Sequence, residues 1–217
     1  MKTIQLLIFS ALIIGFVSCG QISANPESAK KNEFHTTESG GEYIDTTKNL
    51  SQRELYDYII SAETVKPNAN NGSPFDNLDY DKVIAYDFSG SEEPYPKVIK
   101  NGRFVPVITA QQYLSQAQAD KILSALSSTS TYGEGTSACF QPHFALVLYK
   151  NNKMIHQISI CLGCNYLISD IDIPAQLHKK FKTELGDEYP LKGFSKKGKK
   201  AIRSLCKEIN FTYGEEE

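Results

Sequence analysis

From Ser51 to the end of the chain, apolar residues recur with two alternating periods. Three stretches carry the helical one. In "LSQRELYDYIISA" Ser51 stands three residues before Glu54, and Leu55, Tyr58, Ile59 and Ala62 follow at i, i+3, i+4 and i+7. "LSQAQADKILSALSS" repeats the logic, with Ser115 and Gln118 ahead of Ala119, Ile122, Leu123 and Leu126. A serine three residues before a Glu or Gln, followed by such a stripe, predicts a capped amphipathic helix. "FSKKGKKAIRSLCKEINF" places Ile202, Leu205, Cys206 and Ile209 on one stripe. A fourth candidate helix runs from Pro174 to Leu185, with Leu177, Phe181 and Leu185 at four-residue steps and Gly186 as its stop.

The stretches between these read as strands. "DKVIAYDF" (81–88) is one, and "KVIKNGRFVPVI" (97–108) is a hairpin with Asn101-Gly102 at the turn. "FALVLYK" and "KMIHQISIC" flank Asn151-Asn152, a pair that tolerates the positive φ of a tight turn. "NANNGSPFDN" (68–77) is a loop by composition. Helix, strands, helix, hairpin, helix is the order of an α+β fold: one antiparallel sheet with three or four amphipathic helices packed on it, in a single domain over 51–217.

The first fifty residues carry no such pattern. Lys2 precedes an apolar run from Ile4 to Val17, then small residues and Cys19. That is the layout of a secretory signal, and the run is shorter than the roughly 20 residues of a membrane span. "FVSC" (16–19) resembles the lipobox of bacterial lipoproteins, with phenylalanine in place of the usual leucine. The resemblance implies a signal peptide over 1–18, cleaved before Cys19, and diacylglycerol on the Cys19 sulfur. The polar, Ser/Thr/Gly/Asn-rich stretch that follows reads as a flexible tether, so residues 19–50 are expected to link a lipid anchor to the domain. No acidic run follows Cys19, which makes the expected location the periplasmic face of the outer membrane in a Gram-negative envelope.

Charge changes this picture little. Lys+Arg 23 against Asp+Glu 25 gives a formal net charge of -2, a balance that argues against a nucleic-acid binder. "KKGKK" (196–200) reads as a solvated helix start. Twelve tyrosines and eleven phenylalanines, with no tryptophan, supply the aromatic mass of a core.

The candidate chemistry lies in "ACFQPHFALVLYKNNKMIHQISICLGCN" (138–165), which holds Cys139, His143, Cys161 and Cys164. A two-residue turn at Asn151-Asn152 pairs Lys150 with Lys153. Extending that register puts Val147 opposite His156 and Cys139 opposite Cys164, about 4.5–5.5 Å apart at Cβ, near disulfide range. Cys161 and Cys164 in a continuous strand would be roughly 10 Å apart, so the chain must bend at Leu162-Gly163 for them to act together. Once bent, C-x3-H and C-x2-C form a Cys3His set suited to tetrahedral zinc. Exported compartments favour disulfides, and with Cys19 lipidated four cysteines remain. A C-x-x-C at a helix start would point to redox chemistry, but "NYLISDIDIP" after Cys164 reads as strand or loop. Cys206 is most simply a core residue of its stripe, and His156 a structural histidine.

As a block, these residues are similar to small bacterial secreted proteins and lipoproteins of unassigned function, which share Cys-Phe-x-Pro-x-His or Arg-His, a hairpin, then Ile-Cys-x-x-Cys. Cys139, Phe140, Pro142, His143, Cys161 and Cys164 carry the match, although Pro142 here directly precedes His143 and Leu162-Gly163 fills the C-x-x-C. The resemblance implies that the cluster is a unit and names no activity. The leading expectation is a non-enzymatic, lipid-anchored envelope protein with a structural Cys/His cluster. Zinc binding and thiol-redox catalysis are the alternatives, and the partner, protein or small molecule, is open.

Overall fold

Both expected capping boxes are formed. A computed structural model describes residues 49–89 and 97–213. Helix α1 spans Gln52–Ser61; Ser51 accepts from the Glu54 N–H and the Glu54 carboxylate accepts from the Ser51 N–H. Helix α2, Gln116–Ser127, starts the same way at Ser115 and Gln118. Each box satisfies donors that a first helical turn leaves without intrahelical partners. Helix α3, Lys196–Glu208, is capped by Ser195, whose hydroxyl accepts from Gly198. The expected signal peptide, Cys19 and all but the last two residues of the expected tether lie outside the described residues. Among the described residues, no helix is long and apolar enough to cross a membrane.

The strands in chain order are β1 (Lys82–Ser89), β2 (Ile99–Lys100), β3 (Arg103–Phe104), β4 (Val107–Tyr113), β5 (Tyr132–Glu134), β6 (Phe144–Lys150), β7 (Lys153–Cys161), β8 (Tyr166–Ser169), β9 (Lys180–Lys182), β10 (Glu188–Pro190) and β11 (Gly193–Phe194). Five of them form one antiparallel sheet in the order β4-β1-β6-β7-β8. The described residues therefore make one α+β domain on an antiparallel sheet, as the sequence pattern predicts.

Both sheet faces are covered, which explains why β1 and β6 are apolar almost throughout rather than alternating. Val83 and Ala85 of β1 and Phe144, Leu146 and Leu148 of β6 share a core with Ile122 and Leu126 of α2 and Ile202 and Leu205 of α3. Ile84, Tyr86 and Phe88, with Ala145, Val147 and Tyr149, share a second core with Leu55 and Ile59 of α1 and with Ile99 and Phe104 of the β2–β3 ribbon. Each large side chain buried this way contributes about 2 kcal/mol. Lys82 is buried at the end of α1, where its ammonium donates to the carbonyls of Ile59 and Ile60 and to Asn152 Oδ1. That charge complements the negative end of the helix dipole.

The turns fall where the asparagines predict them. Asn101 and Gly102 lie at φ 52° and 71°, and Asn151 and Asn152 at φ 50° and 62°. The register beyond the second turn departs from expectation. Lys150 does face Lys153 and Tyr149 faces Met154, but the ladder then shifts and Leu148 faces His156. Ile155 is the extra residue of a bulge, so His156 lies opposite Leu148 and not Val147. The expected helix from Pro174 to Leu185 is also corrected. Pro174–Leu177 is one 3-10 turn, and β9 and β10 follow as a ribbon around Gly186 at φ 95°. Leu177, Phe181 and Leu185 are exposed, Leu185 by 92%. An amphipathic helix draws its stability from a buried face, and this stripe has no core to meet.

Candidate functional site

The sulfur cluster forms where β7 ends. Leu162-Gly163-Cys164-Asn165 reverses the chain after Cys161, with Asn165 at φ 65° and its N–H donating to Leu162 O at 3.1 Å. β8 then runs back along β7, pairing Tyr166 with Cys161. The bend that the sequence requires at Leu162-Gly163 is therefore made. It draws the Cys161 and Cys164 Cα atoms to 5.2 Å, and the two sulfurs form a disulfide.

Cys139 reaches the same place by a different route from the one expected. β6 begins only at Phe144, so Cys139 is outside the ladder and no cross-strand register holds it. Instead the segment before β6 is strapped to the turn. Ser137 N donates to Cys164 O at 2.9 Å, Asn165 Nδ2 donates to Gly135 O at 2.7 Å, and the Phe140 ring packs on Tyr166 at 4.8 Å between centroids. Cys139 Sγ thereby lies 3.9 Å from Cys164 Sγ, as an exposed free thiol beside a bonded sulfur. The bonded pair is hidden: Cys161 is 4% and Cys164 3% exposed. Two backbone N–H groups point at these sulfurs, from Gln141 to Cys164 Sγ at 3.3 Å and from Cys164 to Cys161 Sγ at 3.0 Å.

The Cys3His set of the zinc alternative is not assembled in this structure: Cys161 and Cys164 are bonded to each other, and the His143 ring stacks on Tyr213. Among the described residues, no group of three or more His, Cys, Asp or Glu side chains is disposed to hold a metal ion. The His143 ring stacks on Tyr213, 6.2 Å between centroids. The Tyr213 hydroxyl accepts from Leu162 N at 2.7 Å and donates to Ile160 O at 3.2 Å, pinning the disulfide turn to the last described turn of the chain.

His143 also lines a cleft of about 550 Å³ with Asp87, Tyr58, Gln112 and Phe211. Asp87 shares the face of Val83 and Ala85, where the alternation of β1 calls for an apolar core residue. Burial pushes its carboxyl above the ordinary range, against the opposing pull of His143 and the Phe88 N–H. Cys206, on α3 behind it, is buried as its stripe predicts, and burial, with the Asp87 charge, pushes its thiol up to about 12. Asp87 and Tyr213 are the site residues that sequence reasoning missed. The signal for Asp87 was present, as a carboxylate in phase with Val83 and Ala85.

Comparison of the chain with protein-family models, with curated proteins and with solved structures finds no match.

Proposed function

We propose that the chain is a lipid-anchored cell-envelope protein whose Cys161–Cys164 pair works by thiol–disulfide exchange. The observation that carries this reading is the exposed Cys139 thiol, 3.9 Å from a sulfur that is already bonded. Exchange proceeds by a thiolate attacking a disulfide sulfur, at a rate set by the attacking and leaving thiols and by access, and Cys139 supplies an exposed thiol within reach. In the oxidising direction the balance is simple. The protein disulfide and two partner thiols give a protein dithiol and a partner disulfide. The anchor part of the reading is supported by the apolar run ahead of Cys19 and by "FVSC".

A purely structural bond is the second reading, favoured by the burial of both bonded sulfurs. Against it stands the loop the bond closes, with a sequence separation of 3. Chain-entropy stabilisation grows with loop length and reaches about 3 kcal/mol only near 15 residues. Zinc would require the reduced pair, with Cys139 as a third sulfur ligand.

Equilibration of the full-length protein in glutathione redox buffers, read by intact mass, tests the proposal. The expected result is half-reduction between about −120 and −270 mV, the span of known exchange proteins. A bond that stays closed below about −300 mV is structural, and the proposal then fails. Retention of one zinc by the reduced form would favour the metal reading.

A further inference from the structure

We infer that Cys139 is the port of a three-sulfur relay, in which Cys164 is the shared sulfur and Cys161 the thiol released inward. The inference rests on the exchange reading above and adds the route by which a partner reaches the bond. It follows from access and distance together. Cys161 and Cys164 are 4% and 3% exposed, so a thiol carried on a polypeptide cannot approach either along the S–S axis. Cys139 is exposed and has Cys164 within 3.9 Å. A partner must therefore act on Cys139, and Cys139 on Cys164.

The internal step is an isomerisation that needs no outside oxidant. The Cys139 thiolate attacks Cys164 Sγ, the Cys139–Cys164 bond forms, the Cys161–Cys164 bond breaks, and the electron pair leaves on Cys161. One proton leaves the Cys139 thiol and one is taken up by Cys161. The leaving sulfur is the one that receives the Cys164 N–H at 3.0 Å, and a hydrogen bond to a thiolate favours the charged form.

The bond now has an exposed end. A partner thiolate attacks Cys139 Sγ and Cys164 leaves, giving a mixed disulfide on Cys139. The partner's second thiol then displaces Cys139. The partner has become a disulfide, and Cys161 and Cys164 are a dithiol. Run backwards, the same sequence loads the pair from a partner disulfide. The partner class that this port fits is a polypeptide with two cysteines near its surface. A buried metal ligand or a small apolar molecule would not need an exposed sulfur.

Two variants of the full-length chain test the route. In Cys161→Ser, mild oxidised glutathione should join Cys139 to Cys164, seen as a Cys139–Cys164 cross-link in non-reducing peptide maps. In Cys139→Ser, the Cys161–Cys164 bond should still form, but its reduction by glutathione should slow at least ten-fold against the parent. The relay is overturned if Cys139 and Cys164 both stay alkylatable in the first variant, or if the second is reduced at the parent rate. Should the first variant fail to fold, the rate comparison decides alone. Should the bond prove too stable for glutathione, the same comparison with dithiothreitol still reads the route: Cys139-dependence then upholds the relay while the exchange function falls, and its absence overturns both.

Discussion

The side chain of Gln157 makes both of its hydrogen bonds to the backbone of one residue, Ile99. Its Oε1 accepts from Ile99 N at 3.0 Å and its Nε2 donates to Ile99 O at 2.9 Å. Gln157 is 2% and Ile99 4% exposed, so a strand residue of the main sheet acts as a missing strand partner for the β2–β3 ribbon. Replacing it leaves two buried backbone groups unsatisfied, each at about 1–3 kcal/mol. Gln157→Leu should lower the free energy of unfolding by about 3 kcal/mol in a urea titration. Hydrogen exchange at the Ile99 amide should accelerate ahead of β6 and β7. A loss below about 0.5 kcal/mol would mean that the ribbon is held by its apolar contacts alone.

Gly198 tests packing against propensity. A glycine inside a helix costs about 1 kcal/mol relative to alanine, so propensity alone predicts that Gly198→Ala stabilises α3. A Cβ there would stand 2.4 Å from Thr131 O and 2.8 Å from Thr131 Cγ2. Thr131 is 2% exposed, and its carbonyl accepts from Ser195 N at 2.8 Å, so it has little room to withdraw. Overpacking of this kind costs about 1–3 kcal/mol, and a net fall in Tm is the expected outcome. A rise would show that α3 can lift away without penalty.

Asp87 makes stability depend on pH in an unusual direction for a carboxylate. Its folded pKa is raised above 3.8, so the folded state holds the proton more tightly than the unfolded chain. The stability this gives is complete below the unfolded value and is lost as pH rises through the folded one. Asp87→Asn cannot ionise and escapes that loss. Thermal unfolding from pH 3.5 to 7 should show the variant gaining on the parent as pH rises. A difference that is flat across this window would mean that burial does not govern the carboxyl. His143 and Cys206 are the titratable groups that act with Asp87, so the comparison is best repeated in Cys206→Ala.

The two free thiols among the described residues, Cys139 and Cys206, should separate under alkylation. Cys139 is exposed, whereas Cys206 is 1% exposed with its thiol pushed up to about 12. Native, non-reduced protein treated with iodoacetamide at pH 8 should be modified at Cys139 and spared at Cys206, since the thiolate is the nucleophile. Denaturant should then expose Cys206 to the reagent. Labelling of both sites at comparable rates in the native state would contradict the burial of α3.

Local signals in the sequence carried most of the fold, and failures came where a tertiary context decided. Ser51 with Glu54, and Asn151 with Asn152, act through their own backbone, so their pattern is sufficient. Phe181 and Leu185 have helical spacing, but spacing says nothing about whether a core exists to receive them, and here none does. The site was legible in part for the same reason. The bend at Leu162-Gly163 followed from geometry; Cys139 does meet Cys164, but not through the strand register that predicts it, because β6 begins only at Phe144 and the ladder shifts at Ile155. Which sulfurs bond was not legible, because Cys139 is positioned by Ser137 and Asn165 contacts that no period encodes. Tyr213 lies 51 residues beyond its Leu162 partner, and nothing local announces that bond.

The bulge at Ile155 has a consequence for how this hairpin tolerates changes in chain length. Removing one residue from a strand normally turns every following side chain to the opposite face. Here the pairs Tyr149 with Met154 and Leu148 with His156 already bracket a surplus residue, so deleting Ile155 would leave a regular ladder with each later partner unchanged. That deletion would preserve the inward-facing Ile158 and Ile160, and would deliver Cys161 to its turn as before.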